Sequence, residues 1–115
     1  MASLRTRETD ISYTEYQTKH RGTGCQLCQK PALKLFKHWK IVENSFPYDR
    51  IAEVHNMIVP LRHIIEQDLN FDELQELYEI KRNIINKDYE FTIEATYKVK
   101  SIPTHFHLHL IVTKS

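Results

Sequence analysis

The chain has 115 residues, 41% of them hydrophobic and 27% charged, a size and balance that suit one folded domain and exclude a disordered or fibrous polymer. Sixteen basic against fifteen acidic residues leave a formal net charge of +1, without the electrostatic footprint of a nucleic-acid binder or a protein held on an acidic membrane. No apolar run approaches the ~20 residues that a bilayer requires. The opening residues MASLR lead into no hydrophobic segment, so neither a membrane span nor a signal peptide is expected and the chain reads as cytoplasmic.

Residues 1–10 are polar and without a period, and they read as a flexible tail that leaves 11–115 as the single domain. Residues 11–21 (ISYTEYQTKHR) behind Asp10 predict a short capped helix. Cys25-Gln26-Leu27-Cys28 follows, a CxxC whose sulfurs are close in the chain. A disulfide over so short a loop would constrain little of the unfolded state, so the readings are a redox dithiol or half of a zinc site. The flanks, Arg21-Gly22-Thr23-Gly24 and Lys30-Pro31, look like a loop knuckle rather than the strand and helix of a redox motif.

Leu33 to Val42 reads as one strand or a bent pair, and Asn44-Ser45-Phe46-Pro47-Tyr48-Asp49 is turn chemistry. Ala52 to Val59 predicts a second strand ended by Pro60. Asn70 with Glu73 forms a capping signature. Leu74, Leu77, Tyr78, Ile84 and Ile85 recur behind it at helical spacing, predicting one long helix over about 71–87. Tyr89 to Val99 alternates through Phe91, Ile93, Ala95, Tyr97 and Val99 and predicts a half-buried strand, with His105 to Val112 as the last strand. Strands around one long helix with short links define an α+β domain with a mostly antiparallel sheet.

The last strand carries the chemistry. Period two sends His105, His107 and His109 to one face and Phe106, Leu108 and Leu110 to the other, with neighbours on a face about 6.5 Å apart. A single strand histidine is usually a partly solvated filler; three on one face opposite a clean apolar face are much rarer. His55 and His63, in HNMIVPLRH, lie upstream, and either one alone would read as an ordinary histidine.

Taken together, these segments resemble the histidine triad family. HFHLHLIV fits its His-φ-His-φ-His-φ-φ pattern, and HNMIVPLRH is similar to the strand and proline turn before that family's long helix. FPYD behind Asn44 resembles its nucleotide-side loop, and CQLC the zinc knuckle of zinc-bearing bacterial members and of the related galactose-1-phosphate uridylyltransferases. The likeness runs from Cys25 to Val112, about three quarters of the chain.

The resemblance implies His107 as nucleophile, with His109 and His55 as its catalytic neighbours in the phosphate pocket. It implies nucleotide contacts from Asn44, Ser101, His55 and His109, and a zinc ligated by Cys25, Cys28, His63 and His105. A site closed by two thiolates and two imidazoles is structural rather than catalytic. The implied activity is a nucleotide hydrolase or transferase working at the α-phosphate of a nucleoside phosphoramidate or dinucleoside polyphosphate, and the family habit implies a homodimer. A neutral imidazole can attack such a phosphorus, and at an ordinary pKa near 6.5 roughly three quarters of histidines are neutral at pH 7. A backbone carbonyl accepting from the nucleophile's other nitrogen would fix its tautomer.

The rival readings are a non-catalytic zinc-stabilised nucleotide-binding module and a metalloenzyme with an open zinc on His105, His107 and a distant histidine. The charge balance disfavours a nucleic-acid module. The chain's glycines, Gly22 and Gly24, precede the knuckle, and none lies in Lys98–Thr104 before the triad.

Overall fold

The computed structural model describes residues 3–115. Helix α1 spans Arg7–Lys19. Thr6 caps it by accepting from the Thr9 amide, and the Asp49 carboxylate accepts from the Thr6 amide at 2.7 Å and its hydroxyl at 3.0 Å. The helix expected behind Asp10 therefore starts earlier, at Arg7, because its N-terminus is fixed by a residue far along the chain. Much of the expected tail is packed: Arg5 Nε donates to the Phe46 carbonyl at 2.7 Å, and the Arg50 amide to that of Leu4 at 3.1 Å. The remainder of that tail, Met1 and Ala2, lies outside the described residues.

Behind α1 the chain turns through Gly22 and Gly24, whose φ values of 80° and 94° belong to the left-handed region that glycine tolerates. A side chain at Gly24 would also press on Gln29 Nε2 at 3.0 Å. One helical turn, α2 (Gln26–Gln29), then starts directly after Cys25. Lys40 crosses beneath it, and its ammonium donates to the carbonyls of Lys30 at 2.7 Å and Cys28 at 3.3 Å. Carbonyls left open at the end of α2 thus meet a cation, the favourable arrangement for a helix C-terminus.

The sheet consists of β1 (Lys34–Leu35), β2 (Trp39–Glu43), β3 (Ala52–Pro60), β4 (Phe91–Ile93) and β5 (Leu108–Thr113), all antiparallel in the order β1-β2-β3-β5-β4. The segment Leu33 to Val42 is thus a bent pair. Helix α3 starts at Phe71, continues from Ile80 through a π-helical turn at Lys81–Ile85 and ends with Asn86–Asp88. The capping box is formed as expected: Asn70 Oδ1 accepts from the Glu73 amide and Glu73 Oε1 from the Asn70 amide, each at 2.9 Å.

One face of the sheet packs on α3 through Trp39, Ile41, Ile58, Leu108 and Leu110 against Leu77, Ile80 and Ile85. Burial of each such aliphatic side chain contributes about 1.5–3 kcal/mol. Trp39 fixes the spacing, because its indole N–H donates to the Glu73 carbonyl at 2.8 Å. The opposite face packs Val42, Met57 and Val59 against Leu27 of the knuckle. The triad segment follows the predicted alternation, Phe106, Leu108 and Leu110 joining the α3 core.

Two predicted strands are shorter than expected. β5 begins at Leu108, after His105 and His107, because the register that pairs Ile58 with Leu108 would set Pro60 opposite Phe106, and proline has no N–H for the ladder. Phe106 instead donates its amide to the Ile64 carbonyl at 2.8 Å. β4 stops at Ile93, which pairs with His109, because the chain before Leu108 has left the ladder and offers no partner. The alternation over 94–99 is therefore not strand: Thr96–Lys100 is a turn, and Tyr97 and Val99 are exposed. No helix among the described residues is long and apolar enough to cross a membrane.

Candidate active site and metal centre

Two clusters lie end to end on the face of the sheet opposite α3. The first gathers Cys25 before α2, Cys28 within it, His63 from the turn after β3 and His105 before β5, with their ligand atoms all within 4.8 Å of one another. His105 Nδ1 lies 3.5 Å from each sulfur and 3.2 Å from His63 Nδ1, and Cys28 Sγ is 3.3 Å from His63 Nδ1. His105 Nε2 donates to the Pro60 carbonyl at 3.0 Å, which leaves Nδ1 bare and aimed at the sulfurs, the outer-shell pattern of a metal-bound histidine. Around a tetrahedral ion with bonds of about 2.3 Å to sulfur and 2.05 Å to nitrogen, ligand atoms lie about 3.4–3.8 Å apart. The observed separations approach those edges, so the four residues can hold one metal ion with no position left open. The structure brings together all four residues of the expected ligand set.

Arg62, beside His63, braces this centre from the other side. Its Nε and Nη2 donate to the Glu73 carboxylate at 3.0 and 2.6 Å, tying the turn after β3 to the start of α3. Glu73 is held below the usual carboxylate range by these bonds and by the Asn70 amide.

The second cluster is His55, His107 and His109, all buried. His107 Nδ1 donates to the carbonyl of His105 at 2.9 Å. That bond fixes the tautomer, so Nε2 carries the lone pair, and it has no hydrogen-bond partner among the described residues. Burial holds His107 below its ordinary pKa, hence neutral at pH 7. The candidate metal cluster and this imidazole share one residue: His105 points its ring at the sulfurs and its carbonyl at His107.

His55 and His109 form a closed circuit with Tyr48, which the sequence reading did not single out. The Tyr48 amide donates to His55 Nδ1 at 2.9 Å, which places the His55 proton on Nε2. That proton is donated to His109 Nδ1 at 2.7 Å, and His109 Nε2 in turn donates to the Tyr48 hydroxyl oxygen at 3.1 Å. Burial is the main cause that pushes His55 down to about 4 and His109 lower still; Arg5 and His107 add to both shifts, and His55 disfavours a charge on His109. Both imidazoles are neutral, and each has its single N–H engaged within the protein.

Asn44 brings its Nδ2 within 3.3 Å of His55 Nε2 while its Oδ1 accepts from the Phe46 amide at 2.8 Å. Ser101 accepts from the Tyr13 hydroxyl at 3.0 Å, so α1 reaches across the site. Asn44, Ser101, His107 and His109 line one pocket, walled by Arg5 and Tyr13 and reduced to about 20 Å³, room for roughly one water. A groove of about 450 Å³ opens alongside between the end of α1, the knuckle and the loop 101–104, sharing Gln26, Ser101 and Ile102 with it. Sequence reasoning missed Arg5, Tyr13 and Tyr48 because each reaches the site through tertiary packing. Only Tyr48, within the quoted FPYD, had a local signal.

A histidine row that alternates with the core of a five-stranded antiparallel sheet, beside a CxxC knuckle and one long helix, defines the histidine-triad (HIT) fold. Solved structures bear this out. The chain is similar to a HIT family hydrolase from Legionella pneumophila Philadelphia 1, with 21% identity and a TM-score of 0.56 over 80% of this chain and 95% of that one. It is likewise similar to a HIT family hydrolase from Clostridium thermocellum, with 21% identity and a TM-score of 0.55 over 76% of this chain and 89% of that one. A third similar structure, HTC1, shares 14% identity with a TM-score of 0.54, over 96% of this chain and 76% of its own. No protein-family model matches the chain, and no curated protein matches it in sequence.

Proposed function

We propose that this chain is a zinc-stabilised histidine-triad hydrolase or transferase acting at the α-phosphate of a nucleoside phosphoramidate or dinucleoside polyphosphate. The observation that carries this reading is His107, a neutral buried imidazole with Nδ1–H on the His105 carbonyl and Nε2 unengaged among the described residues. In the first step the Nε2 lone pair forms a bond to the α-phosphorus while the bond from phosphorus to the leaving group breaks, a leaving amine taking up a proton from solvent as it departs. The positive charge that develops on the ring is met at Nδ1 by the His105 carbonyl, a preorganised acceptor. In the second step water attacks the nucleotidyl-histidine and gives up a proton to solvent, the P–N bond breaks, and His107 returns to its neutral form.

Cys25, Cys28, His63 and His105 would hold the zinc. When bound, it supplies no reaction chemistry, because four protein ligands saturate it, but it pins the residue whose carbonyl orients His107. The 450 Å³ groove suits the nucleoside, with the phosphate reaching inward past Ser101. The small volume at the triad favours, as a second reading, a zinc-stabilised module that binds a nucleotide without turning it over.

The test is release of AMP from adenosine 5′-phosphoramidate. Turnover by the wild type that disappears in His107→Ala supports the enzyme. Nucleotide binding without turnover in the wild type establishes the module instead.

A further inference from the structure

We propose that Arg5, on the N-terminal segment, binds the substrate phosphate and makes the site select nucleotides over nucleosides; this rests on the nucleotide reading above. The two imidazoles that the triad resemblance assigns to phosphate contact have no N–H to give, since His55 donates to His109 and His109 to Tyr48. No glycine lies in the loop Lys98–Thr104, which limits how closely backbone amides can approach a phosphate. The Asn44 amide and the Ser101 hydroxyl are neutral donors there, so a charged donor has to come from elsewhere.

Arg5 is placed to provide it. Its Nε is fixed on the Phe46 carbonyl at 2.7 Å, and its guanidinium carbon lies 4.4 Å from the Tyr13 ring centre and 5.0 Å from that of Tyr48. The side chain lines the triad pocket beside His107 and His109. Neither Nη group makes a hydrogen bond or ion pair with another described residue. The residue is half-buried, and its charge helps to hold His55 and His109 neutral. A partly desolvated cation facing neutral imidazoles is unfavourable until an anion joins it, and a guanidinium fork matches two oxygens of a phosphate. Because Nε and the ring stacking already fix the side chain, little further ordering is needed on binding. The groove of about 450 Å³ opens beside this pocket and shares Ser101 with it, so a nucleotide in the groove brings its phosphate to the pocket that Arg5 lines.

Titration calorimetry with AMP and with adenosine tests this on the full chain. The wild type should bind AMP about ten-fold or more tighter than adenosine, and Arg5→Met should erase most of that ratio while leaving adenosine affinity unchanged. Arg7→Met, on the exposed side of α1, should keep the ratio. If Arg5→Met fails to fold, Arg5→Lys decides, since it keeps the charge without the fork and should lower the ratio several-fold. An unchanged ratio in the folded Arg5 variant overturns the proposal and leaves the nucleotide reading standing. A wild type that binds neither compound overturns the nucleotide reading, and this proposal with it.

Discussion

His105 and His107 are neighbours on one face of the chain with opposite duties, and substitution separates them. His107→Ala should abolish turnover, a loss of several orders of magnitude, while metal content and melting temperature stay near wild type, because its ring touches no ligand atom of the metal cluster. His105→Ala should lose metal and stability first, and activity as a consequence. Assays of turnover, metal content and thermal melting on both proteins check the contrast. His55 adds a pH signature. It is held neutral down to about 4 in the folded chain, whereas an unfolded histidine protonates near about 6.5. In that window the unfolded chain binds more protons, so stability is full above pH ~6.5 and falls as the pH drops towards ~4. His109 acts in the same direction. Melting temperatures between pH 4 and 7 should therefore fall less steeply for His55→Gln than for the wild type; equal slopes would contradict a buried neutral imidazole.

Among the elements, α3 is the one whose ends and faces are most plainly written in the residues. Asn70→Ala removes the acceptor for the Glu73 amide and should cost about 1 kcal/mol in urea melts. Leu110→Ala opens the core under that helix, where Leu110 is fully buried, and should cost about 2–5 kcal/mol. Tyr97→Ser, on the exposed turn that alternation mistook for strand, should change stability by less than about 0.5 kcal/mol. The alternation of HFHLHL placed its side chains on the right faces because the pleat acts residue by residue. It could not show that β5 starts only at Leu108, since that depends on Pro60 in another strand. The start of α1 was hidden for a similar reason: its cap is completed by Asp49, more distant than any local pattern reaches. The CxxC and the histidines of the metal cluster were legible as residue types with a family likeness. Lys40 beneath the knuckle and the Arg62–Glu73 clamp were not, because their work lies in contacts between elements.

At the scale of the molecule, the cluster of Cys25, Cys28, His63 and His105 joins the knuckle, the turn after β3 and the lead into β5. In a chain of 115 residues, such a junction should contribute strongly to folding, because metal binding energy becomes folding energy. Freshly purified protein should hold one zinc per chain by elemental analysis, and Cys28→Ser should lower zinc content and melting temperature together. Protein without zinc, its melting unmoved by chelator, would refute that role. The same junction places the His105 carbonyl against His107 Nδ1, so the fold, the candidate metal cluster and an Nε2 unengaged among the described residues meet at one residue pair. The most direct measurement is intact-mass and peptide mapping of the protein quenched during turnover of adenosine 5′-phosphoramidate. The proposed mechanism predicts one adenylyl group per chain, on His107, absent from His107→Ala. An adduct on another residue, or steady turnover with no adduct under rapid quenching, would contradict it.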